Sequence, residues 1–429
     1  MSKEKLIPEL RFPEFENDGE WELKNVEEFF NVGSSKRVLQ KDWTNEGVPF
    51  YRTRELVSLS KNEPFGSEIY ISEELYEELK TQYGVPTEGD YLVSGVGTLG
   101  ISYQVKTDDK FYFKDGNVLW FKLEGDLVSS YFKYCFESEH IQKQIVGQTS
   151  KSTVGTYTIT NAKKTEFWYT DNPQEQQKIA SCLSSLDELI AAHKDKLDAL
   201  KDHKKGLLQN LFPQEGETVP KLRFPEFEGD GEWEIKRVED FFDVGSSKRV
   251  LQKDWTNDGV PFYRTRELVS LSKNEPFGSE IFISEDLYIE LKESYGVPVE
   301  GDFLVSGVGT LGVIYQVKKE DKFYFKDGNV IWFSKREELD SSFFEFCFES
   351  SHIQNQIDAQ TSKSTVGTYT IKNARITEFW HPPRIEEQQK IASCLSAVDE
   401  LITAQQDKIE QLQQHKKGLM QGLFPKMTD

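Results

Sequence analysis

Leu10-Arg11-Phe12-Pro13-Glu14-Phe15 returns unchanged as Leu222-Arg223-Phe224-Pro225-Glu226-Phe227. The offset that carries Leu10 onto Leu222 also joins Trp21 to Trp233, Trp120 to Trp332 and Trp168 to Trp380. It pairs the cysteines too, Cys135 with Cys347 and Cys182 with Cys394. No insertion or deletion breaks the register from Leu10 to Pro213, and about three-quarters of those positions are identical. Solenoid repeats have periods of about 20–50 residues, so this far longer spacing marks the duplication of a whole domain with its connector.

Each unit alternates two textures. Residues 10–172 and 222–384 are rich in aromatic and β-branched residues and glycine, with short strand-like runs around 91–94, 101–105, 111–113 and 118–121. Helical runs at 72–81 and 130–145 are mixed among them, which predicts an α+β domain of about 160 residues. From Gln176 to Phe212 there is no proline, and apolar residues follow a 3/4 spacing. The stripe is Ile179, Leu183, Leu186, Ile190, Leu197 and Leu200, then Leu207 and Leu211, with His193 and Lys204 interrupting it. Its copy is Ile391, Leu395, Val398, Ile402, Ile409 and Leu412, then Leu419 and Leu423, interrupted by Gln405 and Lys416. An a/d stripe over about five heptads predicts a coiled-coil helix. About 36 residues at 1.5 Å each span roughly 54 Å.

A helix with one apolar stripe needs a partner, and the duplication supplies one. The first helix leaves the first domain for the second, so the second must run back to bury both stripes. The pair is therefore predicted to be an antiparallel coiled coil with a near-identical globular domain near each end and internal pseudo-two-fold symmetry. The predicted division is a domain at 1–172, a helix at 173–213, a domain at 214–384, and a helix with its tail at 385–429.

Hydrophobic residues make up 37% and aromatics 13% of the chain, enough for packed cores, which excludes global disorder. No run approaches the ~18 consecutive apolar residues of a membrane span, and the charged start at Met1–Lys5 lacks the apolar run of a signal peptide. No membrane association is expected. Four cysteines in a chain this long are no disulfide framework, so a reducing cytoplasm is expected. Basic residues number 52 against 73 acidic ones, a net charge of −21. That argues against a protein that coats nucleic acid indiscriminately, and it leaves room for a local basic face.

Gly95-Val96-Gly97-Thr98-Leu99-Gly100 fits G-x-G-x-x-G, but a dinucleotide fold needs a helix opening at the third glycine. The alternation that follows predicts a strand instead, hence a glycine-rich turn at which backbone can closely approach a ligand or a sugar-phosphate chain. The sequence has no G-x-x-x-x-G-K-[ST] phosphate loop, no H-E-x-x-H and no C-x-x-C, so neither a catalytic residue nor a metal site is expected. The amino-methyltransferase pattern N-P-P-[YF] occurs only as fragments, at Asn172-Pro173 and Pro382-Pro383.

What remains is basic, small-polar and aromatic clusters. Between Ser34 and Arg54, with Ser35 and Thr53 interleaved, Lys36, Arg37, Lys41, Arg52 and Arg54 outnumber Asp42 and Glu46. The copy carries Ser246, Ser247, Lys248, Arg249, Lys253, Arg264, Thr265 and Arg266 against Asp254 and Asp258. A second cluster, Thr149, Ser150, Lys151, Ser152, Thr153 and Tyr157, has no acid among its neighbours. It returns as Thr361, Ser362, Lys363, Ser364, Thr365 and Tyr369. Lysines, hydroxyls and backbone N–H groups donate to phosphate oxygens, and arginine can bridge guanine O6 and N7. These residues, with Thr98 and Thr310 of the glycine turns, are the candidate contacts to double-stranded DNA. On the residues alone they also read as polar loops, and a non-catalytic interaction scaffold or an enzyme with an unfamiliar site stays open.

The long helix opens Pro173-Gln174-Glu175-Gln176 and closes Lys204-Lys205-Gly206-Leu207-Leu208. Its copy runs from Glu387-Gln388 to Lys416-Lys417-Gly418-Leu419. Together with the Leu-Arg-Phe-Pro openings, Pro49–Arg54 and Gly89–Leu92, this resembles the specificity subunits of type I restriction–modification systems over essentially the whole chain. The resemblance implies DNA sequence recognition without catalysis, each globular domain being a target-recognition domain for one half of a bipartite site. The helices would set the unread spacer and dock two methyltransferase subunits, with restriction subunits joining outside. No cofactor is implied for this chain, since S-adenosylmethionine, ATP and magnesium would belong to the partners. Because the two readers are near-copies, the expected target is an interrupted palindrome.

Overall fold

The computed structural model describes residues 6–61, 66, 68–149, 155–273, 278, 280–361 and 367–426. The first copy runs β1 (Glu22–Asn25), β2 (Phe30–Gly33), β3 (Val48–Tyr51), α1 (Thr53–Ser60), β4 (Tyr70–Ile71), α2 (Glu73–Tyr83), β5 (Tyr91–Ser94) and β6 (Ser102–Gln104). It continues with β7 (Tyr112–Phe113), β8 (Val118–Leu123), α3 (Ser129–Glu137), α4 (Glu139–Thr149), α5 (Ile159–Lys163) and β9 (Glu166–Tyr169). The main sheet is antiparallel in the order β2-β8-β5-β6. A small sheet, β4-β3-β7, pairs β3 antiparallel with β4 and parallel with β7, and β1 pairs with β9.

The period of two along β5 shows why the main sheet is buried on both faces. Tyr91 and Val93 enter the principal core with Phe30, Phe121 and Phe132, while Leu92 enters a second cluster with Leu56, Phe113 and Val118. Leu56 belongs to α1, so this second cluster anchors α1 against the sheet. The second copy repeats the sheet with strands Phe242–Gly245, Val330–Lys335, Phe303–Ser306 and Ile314–Gln316.

The structure differs from the sequence reading at two local points. The helical run at 130–145 is two helices, because Ser138 leaves the α region (ψ 151°) and its hydroxyl donates to Cys135 O at 2.5 Å. The eight-residue α1 is too short to show an apolar periodicity. It starts at a capping box in which Glu55 accepts from the backbone N–H of Arg52 at 2.9 Å.

The long helices are Pro173–Asn210 and Ile385–Leu423, of 38 and 39 residues. The chain divides into two compact units, residues 1–194 with 408–429, and residues 195–407. In the first unit Ile179 and Leu183 share a core with Leu423 and Phe424, while Leu186 and Ile190 pack on Leu412 and Leu419. As the first helix advances its partners recede along the second, so the pairing is antiparallel. In the second unit Leu211 and Phe212 join Ile391, Ala392 and Leu395 in the same way. Leu197, Leu200 and Ile402 are half-buried, whereas Val398, Ile409 and Leu412 are buried.

The two units differ in charge where helix meets domain. In the first, Lys416 reaches Asp187 at 2.7 Å and Glu137 at 3.2 Å, and Lys133 reaches Asp187 at 2.8 Å. In the second, Lys204 reaches Asp399 at 2.9 Å and Glu349 at 3.0 Å, but the position of Lys133 is taken by Glu345. Burial, then the neighbouring Glu349 and Asp399, push the Glu345 carboxyl up to about 7, against the pull of Lys204 and Lys318. A carboxyl raised in the folded state contributes stability below its ordinary range and loses it as pH rises through 7. Glu345 lies beside a cavity of about 800 Å³, so glutamine has room there. Glu345→Gln should therefore stabilise the chain at pH 8 by on the order of 1–2 kcal/mol and leave it little changed at pH 5. Denaturant melts at the two pH values check this, and an equal effect at both would refute it.

Candidate nucleic-acid interface

The glycine run forms the β5–β6 hairpin rather than a helix start. Ser94 N–H donates to Ile101 O at 2.8 Å, and Gly100 N–H donates to Ser94 O at 3.1 Å. Gly97 has φ +84°, a left-handed conformation that favours glycine. Gly95 is held between two backbones: its N–H donates to Asn117 O at 2.8 Å, and its carbonyl accepts from Tyr157 N–H at 2.9 Å. A side chain at Gly95 would stand 2.8 Å from Tyr157 O.

Around this hairpin the separate clusters of the sequence converge. Thr53, at the start of α1, lies beside Gly97, and Val96 bridges to Thr156. The segment at Ser34–Arg37 is tied to the loop before β8. Ser34 Oγ donates to Val118 O at 2.9 Å and accepts from Gly116 N–H at 3.1 Å. Ser35 Oγ donates to Phe113 O at 2.6 Å, and Arg37 pairs with Asp115 at 2.8 Å. In the second copy Ser246 donates to Val330 O, Ser247 donates to Phe325 O, and Arg249 pairs with Asp327.

The candidate contacts differ in where their side chains lie. The hydroxyls of Ser34, Ser35, Ser246 and Ser247 donate to backbone carbonyls and so hold the loop. Tyr157 and Tyr369, each 1% exposed, belong to the core and share a hydroxyl hydrogen bond with Thr165 and Thr377 at 2.7 Å. Arg52 lies inward, with Nε and Nη2 on the Glu55 carboxylate, and its side chain is 29% exposed against 61% for Arg54. In the copy, Arg264 sits inward and Arg266 outward. Burial works against the Glu55 charge, yet hydrogen bonds from Arg52 hold its carboxyl below the ordinary range.

Lys36, Lys41, Thr98 and their copies Lys248, Lys253 and Thr310 are exposed, with Lys36 over the Tyr83 ring at 5.2 Å and Lys248 over Tyr295 at 5.2 Å. Thr53 and Thr265 are half-buried. Ser150, Lys151, Ser152 and Thr153, with Ser362, Lys363, Ser364 and Thr365, lie outside the described residues. Thr149 and Thr361 end the helices that lead to them.

Sequence reasoning missed Glu55, Asp115 and Asn117, which organise the surface. Each recurs at the repeat offset inside an unbroken run of identity, as Glu267, Asp327 and Asn329. It also missed what joins the Leu-Arg-Phe-Pro opening to the start of the long helix. Arg11 forms a two-pronged pair with Glu175 at 2.7 and 2.9 Å, and Thr170 donates to Glu175 at 2.6 Å. The copy pairs Arg223 with Glu387 at 2.8 Å on both prongs. Gln176 accepts from Val128 N–H at 2.9 Å and donates to Thr170 O at 2.7 Å. Among the described residues no group of three or more His, Cys, Asp or Glu side chains could hold a metal ion. No described helix is long and apolar enough to cross a membrane.

Residues 18–202 and 230–414 each match the type I restriction modification DNA specificity domain. The chain belongs to the type I specificity-subunit family. This is a family of non-catalytic subunits that recognise DNA, and in this member the domain occurs twice, with the two long helices packed together. The specificity subunit is 24% identical over 261 residues to the MjaVIII type I restriction enzyme specificity subunit of Methanocaldococcus jannaschii, which covers 58% of this chain and 59% of that one. It is 24% identical over 424 residues to a protein of the same organism provisionally named the MjaX specificity subunit, covering 94% and 93%. Its fold is similar to the crystal structure of a type I restriction–modification S subunit from M. genitalium. That likeness has a TM-score of 0.59 and 15% identity, covering 99% of this chain and 100% of that one.

Proposed function

We propose that this specificity subunit reads two like half-sites, so that its DNA target is an interrupted palindrome. The observation that carries the reading is where the two copies differ. Segments 33–45, 47–69, 94–100, 109–118 and 148–159 are identical to their counterparts 245–257, 259–281, 306–312, 321–330 and 360–371. Thr53, Asn117, Thr156 and Tyr157 of these segments meet the glycine hairpin, and Ser34 and Ser35 are tied to the adjoining 113–118 loop. The substitutions fall between and outside these segments, at positions such as Glu46, Ser102, Lys122, Val128, Lys133 and Tyr169. Readers with the same surface present the same donors, and donors placed alike select the same base edges.

The long helices then set the separation of the half-sites and offer the docking surface for two methyltransferase subunits, with restriction subunits outside them. Methyl transfer from S-adenosylmethionine and the use of ATP and magnesium belong to those partners. A second solved structure supports an assembly of this kind. It comes from work on complex assembly and conformational transition of the type I system, with a TM-score of 0.57 and 14% identity over 94% of this chain.

The test is base-resolution methylation mapping of DNA from cells that express the chain with its methyltransferase subunit, against cells lacking the chain. Methylation on both strands of an interrupted palindrome is the expected result. An asymmetric bipartite motif would refute the like-reader argument and leave the assignment to the family intact. No new methylation, with the same methyltransferase active beside another specificity subunit, would favour a scaffold without sequence-selective DNA binding.

A further inference from the structure

The two arginines flanking Thr53 are already answered by carboxylates, and those carboxylates are of different kinds. Glu55 is buried, with a side chain 2% exposed, and belongs to the capping box of α1. Glu68 lies at the surface, 64% exposed, with Arg54 Nη2 at 2.6 Å and Arg52 Nη2 at 3.6 Å. The second copy repeats the arrangement, with Glu280 66% exposed, 2.9 Å from Arg266 and 3.7 Å from Arg264. With Glu68 in place the four charges cancel. Without it, the arginines would carry one net positive charge beside the glycine hairpin.

We propose that Glu68 and Glu280 are displaceable counter-charges that compete with DNA for Arg54 and Arg266, and so set how strongly the reading face discriminates between sequences. The proposal rests on that face being the DNA-binding surface. Exposed ion pairs are weak, because water screens both partners and the side chains lose freedom in pairing. Such a pair is therefore easily broken by a better acceptor and still stands in the way of a poorer one. A correctly placed guanine edge takes both prongs of an arginine, whereas a phosphate met at a chance register offers a looser contact. Removing the glutamate removes the threshold for all sequences, and chance encounters gain most. Glu55 cannot play this part, because its carboxylate also caps α1.

The experiment uses the full chain and a mixed-sequence DNA duplex, with affinity measured across a salt series. Glu68→Gln with Glu280→Gln is expected to tighten this binding roughly three- to tenfold at low salt. It should also steepen the slope of log affinity against log salt by up to about 1.8, two contacts at about 0.9 each. Combined with Arg54→Ala and Arg266→Ala, the gain should vanish. A gain that persists without the arginines would be a general effect of charge and would overturn the proposal. No gain, where the arginine variant alone binds more weakly, would overturn it while leaving the DNA-binding face in place. If neither pair of substitutions alters binding, the face itself is wrong and the proposal falls with it.

Discussion

Glu175→Ala should destabilise the chain by about 3–5 kcal/mol, the cost of leaving a buried charge without its partner. Arg11 and Glu175 are 5% and 1% exposed. Arg11 also donates to Asp18 O and Gly19 O at 2.9 and 3.0 Å, so one side chain joins the N-terminal segment to the start of the long helix. Without the carboxylate, the guanidinium keeps its two carbonyl acceptors but loses its counter-charge, and the Thr170 hydroxyl loses its acceptor. Replacing both partners by methionine should be far less damaging, because no buried charge is then stranded. Denaturant unfolding of the two variants measures the difference. A Glu175→Ala chain as stable as the parent would show that the pair does not hold the helix to the domain. Glu387→Ala tests the second unit in the same way, with Arg223 5% and Glu387 1% exposed.

Arg54→Ala with Arg266→Ala should cost site-specific recognition most of its strength. A two-pronged arginine contact to a base is worth about 1–3 kcal/mol, so losing one per half-site weakens specific binding by between roughly thirtyfold and four orders of magnitude. The readout is methylation at the target site by the assembled complex, compared between variant and parent. Loss at the target with generic binding retained marks base contacts. Equal weakening on every sequence marks phosphate contacts. Full methylation by the double variant would remove both arginines from the reading face. Arg52 and Arg264 are the less informative choice, because they are tied to Glu55 and Glu267 and their removal would disturb α1 as well.

The legible parts of the site and the hidden ones differ in physical kind. The helices announced themselves because a stripe such as Ile179, Leu183, Leu186 and Ile190 repeats over many turns. The β5–β6 hairpin was legible because alternation resumes directly after Gly100. Charge counting along the chain located Arg52 and Arg54 but left out Glu68, which meets them only in space. Counting hydroxyls found Ser34 and Ser35 but could not tell that Val118 O and Phe113 O take their protons. Tyr157 sat in a polar run and reads as surface, yet its ring is part of the core because its N–H is pinned to Gly95 O.

The sequence by itself determined the duplication, the α+β character of each domain, the paired long helices and the family. Those follow from periodicity and from the single register that carries Leu10 onto Leu222, which are properties of order along the chain. Tertiary structure alone decided which distant pieces complete each core. Leu423 and Phe424 close the first unit against Trp21, and Leu211 and Phe212 close the second against Trp233. It also decided which charges stay exposed beside the glycine hairpin. Both outcomes depend on contacts between residues far apart in sequence, where burial and neighbouring charge settle what a side chain does.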